Sequence, residues 1–173
     1  EVTKNNFTDQ SIYLIYSGSI NKAKGLNSLV AILPKLLAVK PGLKMLFVGY
    51  GDQEDSYRKV LQKNIKNNQV IFTGRVSYFS LGRYLANCDY AIEPKSNISE
   101  SSGKILNYMA AGLKIICYRS NFNTNKLNKQ GIFIDNMSDL LDIEYRKKQE
   151  NMVYNYLNWE DNIINLIKIY QHL

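Results

Sequence analysis

The sequence predicts an α/β fold: a doubly wound, mostly parallel sheet of six strands with helices on both faces. Two observations lead to this prediction. Short, almost wholly apolar runs alternate with helix-length amphipathic stretches along the chain, as a parallel sheet covered on both faces requires. The length of 173 residues, with 45% hydrophobic and 21% charged side chains, suits one globular domain. We therefore expect a single domain over 1–173.

The first half of the chain has a polar leader at 1–11 and then alternates strands with helices. Positions 26, 29, 30, 33 and 37 are Leu or Val at three- and four-residue spacing, which predicts a helix with one apolar stripe. Pro34 interrupts this helix and is expected to kink it. The predicted strands are 12–18, 43–49 and 69–74, and the predicted helices are about 25–39, 53–66 and 77–86.

The second half continues the same alternation. Gly112 follows a helix that is expected to end at Ala111, and a glycine in that place favours a left-handed helix cap. The predicted strands are 89–94, 113–118 and 131–135, and the predicted helices are about 102–111 and 122–129, with two more before the end of the chain.

Several functions are excluded by residues and runs that the sequence lacks. His172 is the only histidine, so Ser-His-Asp catalysis and histidine metal sites have no candidate, and no metal is expected. Cys88 and Cys117 lie in apolar runs without ligand spacing, which predicts buried thiols in a reducing compartment. No apolar run approaches the roughly 20 residues of a membrane span, and residues 1–20 lack a secretory signal. A cytoplasmic location is therefore expected.

The net charge of +7 is unevenly distributed. Residues 1–130 carry 18 basic and 8 acidic side chains, whereas 131–173 carry 4 and 7. The excess of positive charge over residues 1–130 suits a phosphate-bearing partner, whether nucleic acid, anionic lipid or nucleotide. Solvated lysines on helix faces would give the same count. Nucleic acid is the least favoured partner, because the 13 tyrosines are scattered rather than interleaved with Lys and Arg.

In open parallel sheets, ligands bind at the carboxyl ends of the strands, so the loops after the strands hold the candidate site. After the first strand, Gly18 and Ser19 allow a phosphate to approach the backbone, and Lys24 supplies a charge; an ordinary turn is the alternative. After the second strand, Gly49 and Gly51 lack the third glycine of a dinucleotide fingerprint, so a nicotinamide site is not predicted. No phosphate-binding GxxxxGK[ST] motif occurs either.

The densest group of polar residues follows the fourth strand. Ser101, Ser102 and Gly103 stand where a helix begins, and the free amides of a helix start bind diphosphates. Lys104 opens the same helix, and Glu100 can accept hydrogen bonds from sugar hydroxyls. The alternatives are a plain helix cap at Ser101 and a helix-dipole partner at Glu100.

From about residue 12 to the end, the chain resembles the carboxyl-terminal, donor-binding domain of family 4 retaining glycosyltransferases, which have the GT-B fold and Rossmann-like domains. The closing NWEDNIINLIKIYQHL is similar to that family's final helix. Four further segments match in order: SGSINKAKGLNSLV, LFVGYGDQE, IFTGRVSYFSLGRYLANCDYAIEP and ESSGKILNYMAAGLKIICY.

The resemblance implies a hexose-type transfer from a nucleoside diphosphate sugar to a glycan, lipid or other acceptor, without a cofactor or metal. Lys24 would bind the donor diphosphate, and Glu100 the sugar; these two are the candidate catalytic residues. Arg75 and Val76 would flank the base. The full set of candidate donor-binding residues is Gly18, Ser19, Lys24, Gly49, Gly51, Arg75, Val76, Glu100, Ser101, Ser102, Gly103, Lys104 and Asn107.

Two positions depart from the family pattern. Ser19 stands where the family has Arg, and Asn107 stands where it has the second of two Glu residues. They support an alternative, a non-catalytic nucleotide-binding or regulatory module. The family's amino-terminal acceptor domain is absent from this chain, so we expect only the donor half, inactive alone. Peripheral membrane contact of the full-length enzyme stays open.

Overall fold

Six parallel strands form one sheet in a computed structural model that describes residues 10–96 and 103–148. The order across the sheet is β3-β2-β1-β4-β5-β6, and every neighbouring pair is parallel. The predicted doubly wound α/β fold is therefore confirmed. The strands are β1 (Ile12–Ser17), β2 (Leu43–Val48), β3 (Val70–Phe72), β4 (Tyr90–Glu93), β5 (Lys114–Tyr118) and β6 (Gly131–Ile134).

The helices follow the predicted alternation, with one difference in the first half. The stretch predicted as one helix at 53–66 forms two, which meet at Leu61 with φ −95° and ψ 12°. Leu61 is fully buried and still donates its N–H to the Tyr57 carbonyl, so one distorted residue separates them. The helices are α1 (Leu26–Val39), α2 (Glu54–Val60), α3 (Gln62–Lys66), α4 (Tyr78–Ala86), α5 (Gly103–Ala110) and α6 (Asn121–Leu127).

The chain after β6 differs more from the prediction of two helices. A 3₁₀ turn at Met137–Leu141 is followed by a non-helical segment to residue 148, and the final predicted helix lies outside the described residues. Side chains at the start of β4 accept hydrogen bonds from the backbone N–H groups of this segment. The Arg146 N–H donates to the Tyr90 hydroxyl, and the Lys148 N–H donates to Asp89. These two hydrogen bonds take the place of helical ones and hold the segment against the start of β4.

Two apolar cores cover the two faces of the sheet. The first contains the stripe of α1, whose predicted members are all at most 3% exposed, so the predicted apolar stripe is confirmed. The second contains residues of α4, α5 and α6. Cys88 and Cys117 are free thiols in the second core, as predicted, and burial raises the pKa of Cys117 to about 12. No helix within the described residues is long and apolar enough to cross a membrane.

The site is positioned by the reversal of strand order between β1 and β4. The helix after β1 packs on one face, whereas the helix after β4 packs on the other. The two strands are paired only at Leu14 with Tyr90 and at Ile15 with Ala91, so their carboxyl ends are unpaired. A crevice at this edge is where open α/β sheets bind ligands.

Candidate functional site

A cavity of about 340 Å³ lies at the carboxyl edge of the sheet. The loops after β1, β2 and β3 form most of its wall, and the ends of β1 and β2 together with α4 and α5 supply the remainder. It is lined by Ser17, Gly18, Ser19, Val48, Gly49, Tyr50, Arg75, Val76, Ser77, Leu81, Lys104 and Asn107. Seven of the thirteen predicted binding residues are in this set: Gly18, Ser19, Gly49, Arg75, Val76, Lys104 and Asn107.

Three further predicted residues, Lys24, Gly51 and Gly103, are described and do not line the cavity. Gly51 packs beneath it, against the Ile20 carbonyl. Lys24 lies in a 3₁₀ turn and is half-buried, and it is near enough that its charge acts on Lys104. Gly103 is the exposed first residue of α5. The predictions for Glu100, Ser101 and Ser102 fall outside the described residues.

The cavity loops are joined to one another by main-chain hydrogen bonds. The Gly18 N–H donates to the Val48 carbonyl at 2.9 Å, and the Gly49 N–H donates to the Gly74 carbonyl at 3.1 Å. A third bond runs from the Ile20 N–H to the Tyr50 carbonyl at 3.0 Å. The loops after three adjacent strands therefore form one connected backbone layer, whose three bonds join main-chain atoms only.

Two buried tyrosines support the loop after β1. The Tyr16 hydroxyl donates to the Ser19 carbonyl at 2.8 Å. The Ser17 N–H faces the point where β1 and β4 are no longer paired, and it donates to the Tyr108 hydroxyl at 2.9 Å. Tyr108, on α5, is fully buried. It therefore replaces the missing strand partner of Ser17 at the mouth of the crevice.

Tyr108→Phe is expected to lower the free energy of unfolding by about 1–3 kcal/mol, because it leaves the buried Ser17 N–H without an acceptor. Urea denaturation measures this change. Tyr50→Phe is the matched control, since Tyr50 is 54% exposed and its change should stay within about 0.5 kcal/mol. Equal effects of the two substitutions would contradict the supporting role of Tyr108.

Lys104 is held by an acid that the sequence prediction did not include. Its Nζ lies 3.1 Å and 3.3 Å from the two carboxylate oxygens of Glu93. The Glu93 side chain, at the end of β4, is 1% exposed, and that of Lys104 is 15% exposed. The same Nζ lies 4.7 Å from the centroid of the Tyr16 ring, a distance at which a cation is attracted to the ring face.

The charge of Lys104 is set by opposing influences. Burial lowers the pKa of its ammonium most strongly, and the nearby Lys24 and Lys95 lower it further. Glu93 opposes them through its charge and its hydrogen bond. The net pKa is lowered, so Lys104 gives up its proton more readily than an exposed lysine does.

The opposite wall of the cavity carries an Arg and an aromatic ring. The Arg75 guanidinium lies 5.1 Å from the centroid of the Tyr50 ring, and both side chains are exposed. Ser77 caps α4 by accepting the Ser80 N–H. This wall therefore offers flat, partly apolar surface, whereas the Lys104 wall offers charge.

Glu93 and Tyr108 are the residues that sequence reasoning missed. Glu93 had a signal, because a carboxylate in the otherwise apolar run YAIEP breaks the pattern of a buried strand. Tyr108 had none, since a tyrosine on a predicted apolar helix face is ordinary core. Within 10–96 and 103–148, no group of three or more His, Cys, Asp or Glu residues is placed to hold a metal ion.

The sheet order and the crevice define a Rossmann-like domain. A family model described as "Glycosyl transferases group 1" matches residues 1–155. The chain belongs to this family and is a group 1 glycosyl transferase domain.

Individual relatives agree with this membership. A GDP-mannose-dependent monoacylated alpha-(1-6)-phosphatidylinositol monomannoside mannosyltransferase of Corynebacterium glutamicum is 31% identical over 91 residues, which cover 53% of this chain and 23% of that protein. The chain therefore spans about a quarter of that relative's length.

Solved structures show the same fold. TarM of S. aureus, crystallised with Fondaparinux, alpha-GlcNAc-glycerol and UDP, superposes with a TM-score of 0.66 at 13% identity, covering 76% of this chain and 27% of TarM. The C-terminal domain of LpcC, a glycosyl transferase group 1 family protein of Francisella tularensis, gives 0.58 at 17% identity, covering 77% of this chain and 72% of that domain.

Proposed function

We propose that this chain is the donor-binding half of a retaining glycosyltransferase of the family 4 type, and that its cavity takes a nucleoside diphosphate sugar. The observation that carries the proposal is the placement of a buried ammonium, Lys104, beside a glycine-rich backbone at the strand-order reversal. The transfer would move a hexose-type sugar to a glycan, lipid or other acceptor. The acceptor would be held by a separate amino-terminal domain.

The diphosphate belongs at the Lys104 wall. Gly18 has a φ of +134°, and a Cβ added there would have as its nearest neighbour the Tyr16 hydroxyl, at 3.5 Å. At Gly18 the loop therefore presents main chain alone to the cavity. Lys104 in the lining and the nearby Lys24 add positive charge, and such groups stabilise a leaving diphosphate electrostatically without an acid–base pair or a metal.

The base belongs at the Arg75 wall. Arg75, Val76 and Tyr50 line the cavity there, and an aromatic ring with a guanidinium against it offers a stacking surface for a planar base. Asn107 and Ser19 also line the cavity. Their side chains are neutral hydrogen-bonding groups, which suit sugar hydroxyls and contribute no charge to the phosphate contacts.

Titration of the chain with UDP, GDP and ADP, followed by NMR shift mapping, tests the proposal. We expect millimolar or tighter binding of at least one of them, with shifts at Gly18, Gly49 and Arg75. Lys24 lies beside the cavity rather than in its lining, and under this proposal its side chain reaches the diphosphate from there. Lys24→Ala should then weaken binding roughly tenfold at 0.15 M salt, as expected for loss of a phosphate contact worth about 1.5 kcal/mol, and should leave binding of the unphosphorylated nucleoside unchanged.

Lys63→Ala is the matched control. Lys63 is an exposed lysine on α3, and charges beyond about 8–10 Å are screened at this salt. Equal weakening by Lys24→Ala and Lys63→Ala would show a diffuse attraction to the basic surface. Absence of shifts in the cavity loops with all three nucleotides would refute the donor site itself.

The isolated chain is expected to transfer no sugar at the rate of a complete enzyme, because closure of two domains normally excludes water from the donor bond. Family membership supports transferase chemistry for the protein to which the domain belongs.

A further inference from the structure

Glu93 places a carboxylate at the carboxyl end of the central strand β4. Burying such a charge in an apolar interior costs folding free energy unless an opposite charge compensates it. Glu93 is 1% exposed, and Pro94 after it is buried as well. The compensation comes from Lys104, whose Nζ contacts both carboxylate oxygens. Glu93 does not line the cavity, whereas Lys104 does. Seen from the cavity, Glu93 therefore lies behind Lys104.

Two groups restrain the Lys104 ammonium. Glu93 lies at 3.1–3.3 Å on one side, and the Tyr16 ring lies at 4.7 Å on another. Lys104, the second residue of α5, has 15% of its side chain exposed and lines the cavity. An ammonium held in this way keeps one direction free for a donated hydrogen bond.

The surroundings oppose the charged state of this lysine from two neighbouring elements. Lys24 approaches from the turn after β1, and Lys95 from the segment after β4, and burial adds to both. Glu93, at the end of β4, is the group that favours the charged form. A neutral amine would attract a phosphate far less than an ammonium does.

We propose that Glu93 is a positioning residue, which keeps the Lys104 ammonium charged and aimed at the cavity for contact with a diphosphate. The ligand contact rests on the function proposed above, whereas the control of the lysine's charge does not. Because Glu93 lies behind the ammonium, its carboxylate contacts the lysine and is kept away from a phosphate bound in the cavity.

Glu93→Gln tests the control of charge in the ligand-free chain. Glutamine has nearly the same shape and still accepts a hydrogen bond from Lys104, but it carries no charge. With ¹³C-labelled lysine, we expect the Cε resonance of Lys104 to titrate at least about one pH unit lower in the variant. An unchanged titration would overturn the proposal. Glu54→Gln, which removes the acid of the Glu54–Arg58 ion pair on α2, should leave Lys104 unchanged.

The contact with phosphate has a separate measurement, using whichever of UDP, GDP and ADP binds the unaltered chain most tightly. A lower lysine pKa means that the proton is lost at lower pH, so affinity in Glu93→Gln should fall about tenfold more than in the unaltered chain between pH 7.5 and pH 9.5. Glu93→Gln with Lys104→Arg should remove this extra fall, because Arg stays protonated. A persistent fall in the double variant would overturn the role of Lys104.

The two proposals fail differently. If none of the nucleotides binds the unaltered chain, the donor site is refuted, while the Cε titration still decides whether Glu93 controls the charge of Lys104. If Glu93→Gln does not fold, Glu93→Asp replaces it. Withdrawing the carboxylate by one methylene should lower the Lys104 titration by a smaller step, and no step at all would overturn the proposal.

Discussion

Lys104→Met is expected to lower the free energy of unfolding by about 3 kcal/mol at pH 7. The substitution removes the only cation that contacts Glu93 among the described residues and leaves a buried carboxylate at the end of β4. Removal of one partner from a buried ion pair typically costs about 3–5 kcal/mol, and the 15% exposure of Lys104 places this pair at the low end. Urea denaturation followed by circular dichroism measures the change.

Two variants distinguish the free-energy cost of the unpaired Glu93 carboxylate from the effect of removing any lysine. Lys63→Met removes an exposed lysine from α3, and its effect should stay within about 0.5 kcal/mol. Glu93→Gln combined with Lys104→Met removes both charges and should recover most of the lost stability. A double variant as unstable as Lys104→Met alone would mean that lost packing, rather than an uncompensated charge, explains the cost.

Gly49→Ala is expected to destabilise the domain by about 3–5 kcal/mol and to distort the cavity. Gly49 has a φ of +139°, and a Cβ there would clash with the Gly18 carbonyl oxygen. Backbone strain of this kind costs roughly 1–3 kcal/mol, and forcing an extra methyl into packed surroundings costs about the same again. Because the obstacle is main chain, the loops after β1 and β2 must move apart. Denaturation gives the stability, and the NMR shifts of Gly18 report the movement.

Two other glycines provide graded controls. Gly74 pairs with Gly49 and has a φ of +69°, but nothing lies within 4 Å of an added Cβ; Gly74→Ala should therefore cost only the strain of about 1–2 kcal/mol. At Gly42 there is open space and no positive φ, so Gly42→Ala should be close to neutral. If all three substitutions cost the same, the close approach of Gly49 to Gly18 does not determine the effect.

The fold was accessible to sequence reasoning because the apolar runs are short and separated by helical periods. The strands of the structure all lie inside the predicted ones. The errors occur where tertiary contacts override local pattern. Leu61 divides one predicted helix without interrupting its hydrogen bonds. The 142–148 segment is non-helical because Asp89 and Tyr90 accept its amides from more than 50 residues away along the chain.

The site was accessible only in part, for a related reason. Loops at the carboxyl edge follow from a general rule of parallel sheets, so Gly18, Gly49 and Arg75 could be predicted from their places after strands. The partner of Lys104 could not, because whether Glu93 points toward α5 depends on the packing of that helix. The bond between Ser17 and Tyr108 joins residues 91 positions apart, a distance over which periodicity carries no information.

The main-chain bonds between the cavity loops bear on how such a domain can diverge. The layer is held together by the amides and carbonyls of Gly18, Val48, Gly49 and Gly74, and these groups are the same whatever the neighbouring side chains are. The side chains of Ser19, Tyr50 and Arg75 stand on the rim and take no part in that layer. In evolution these three side chains could therefore be substituted one at a time. Each substitution would alter which ligand the cavity binds, while the main-chain bonds between the loops would be kept.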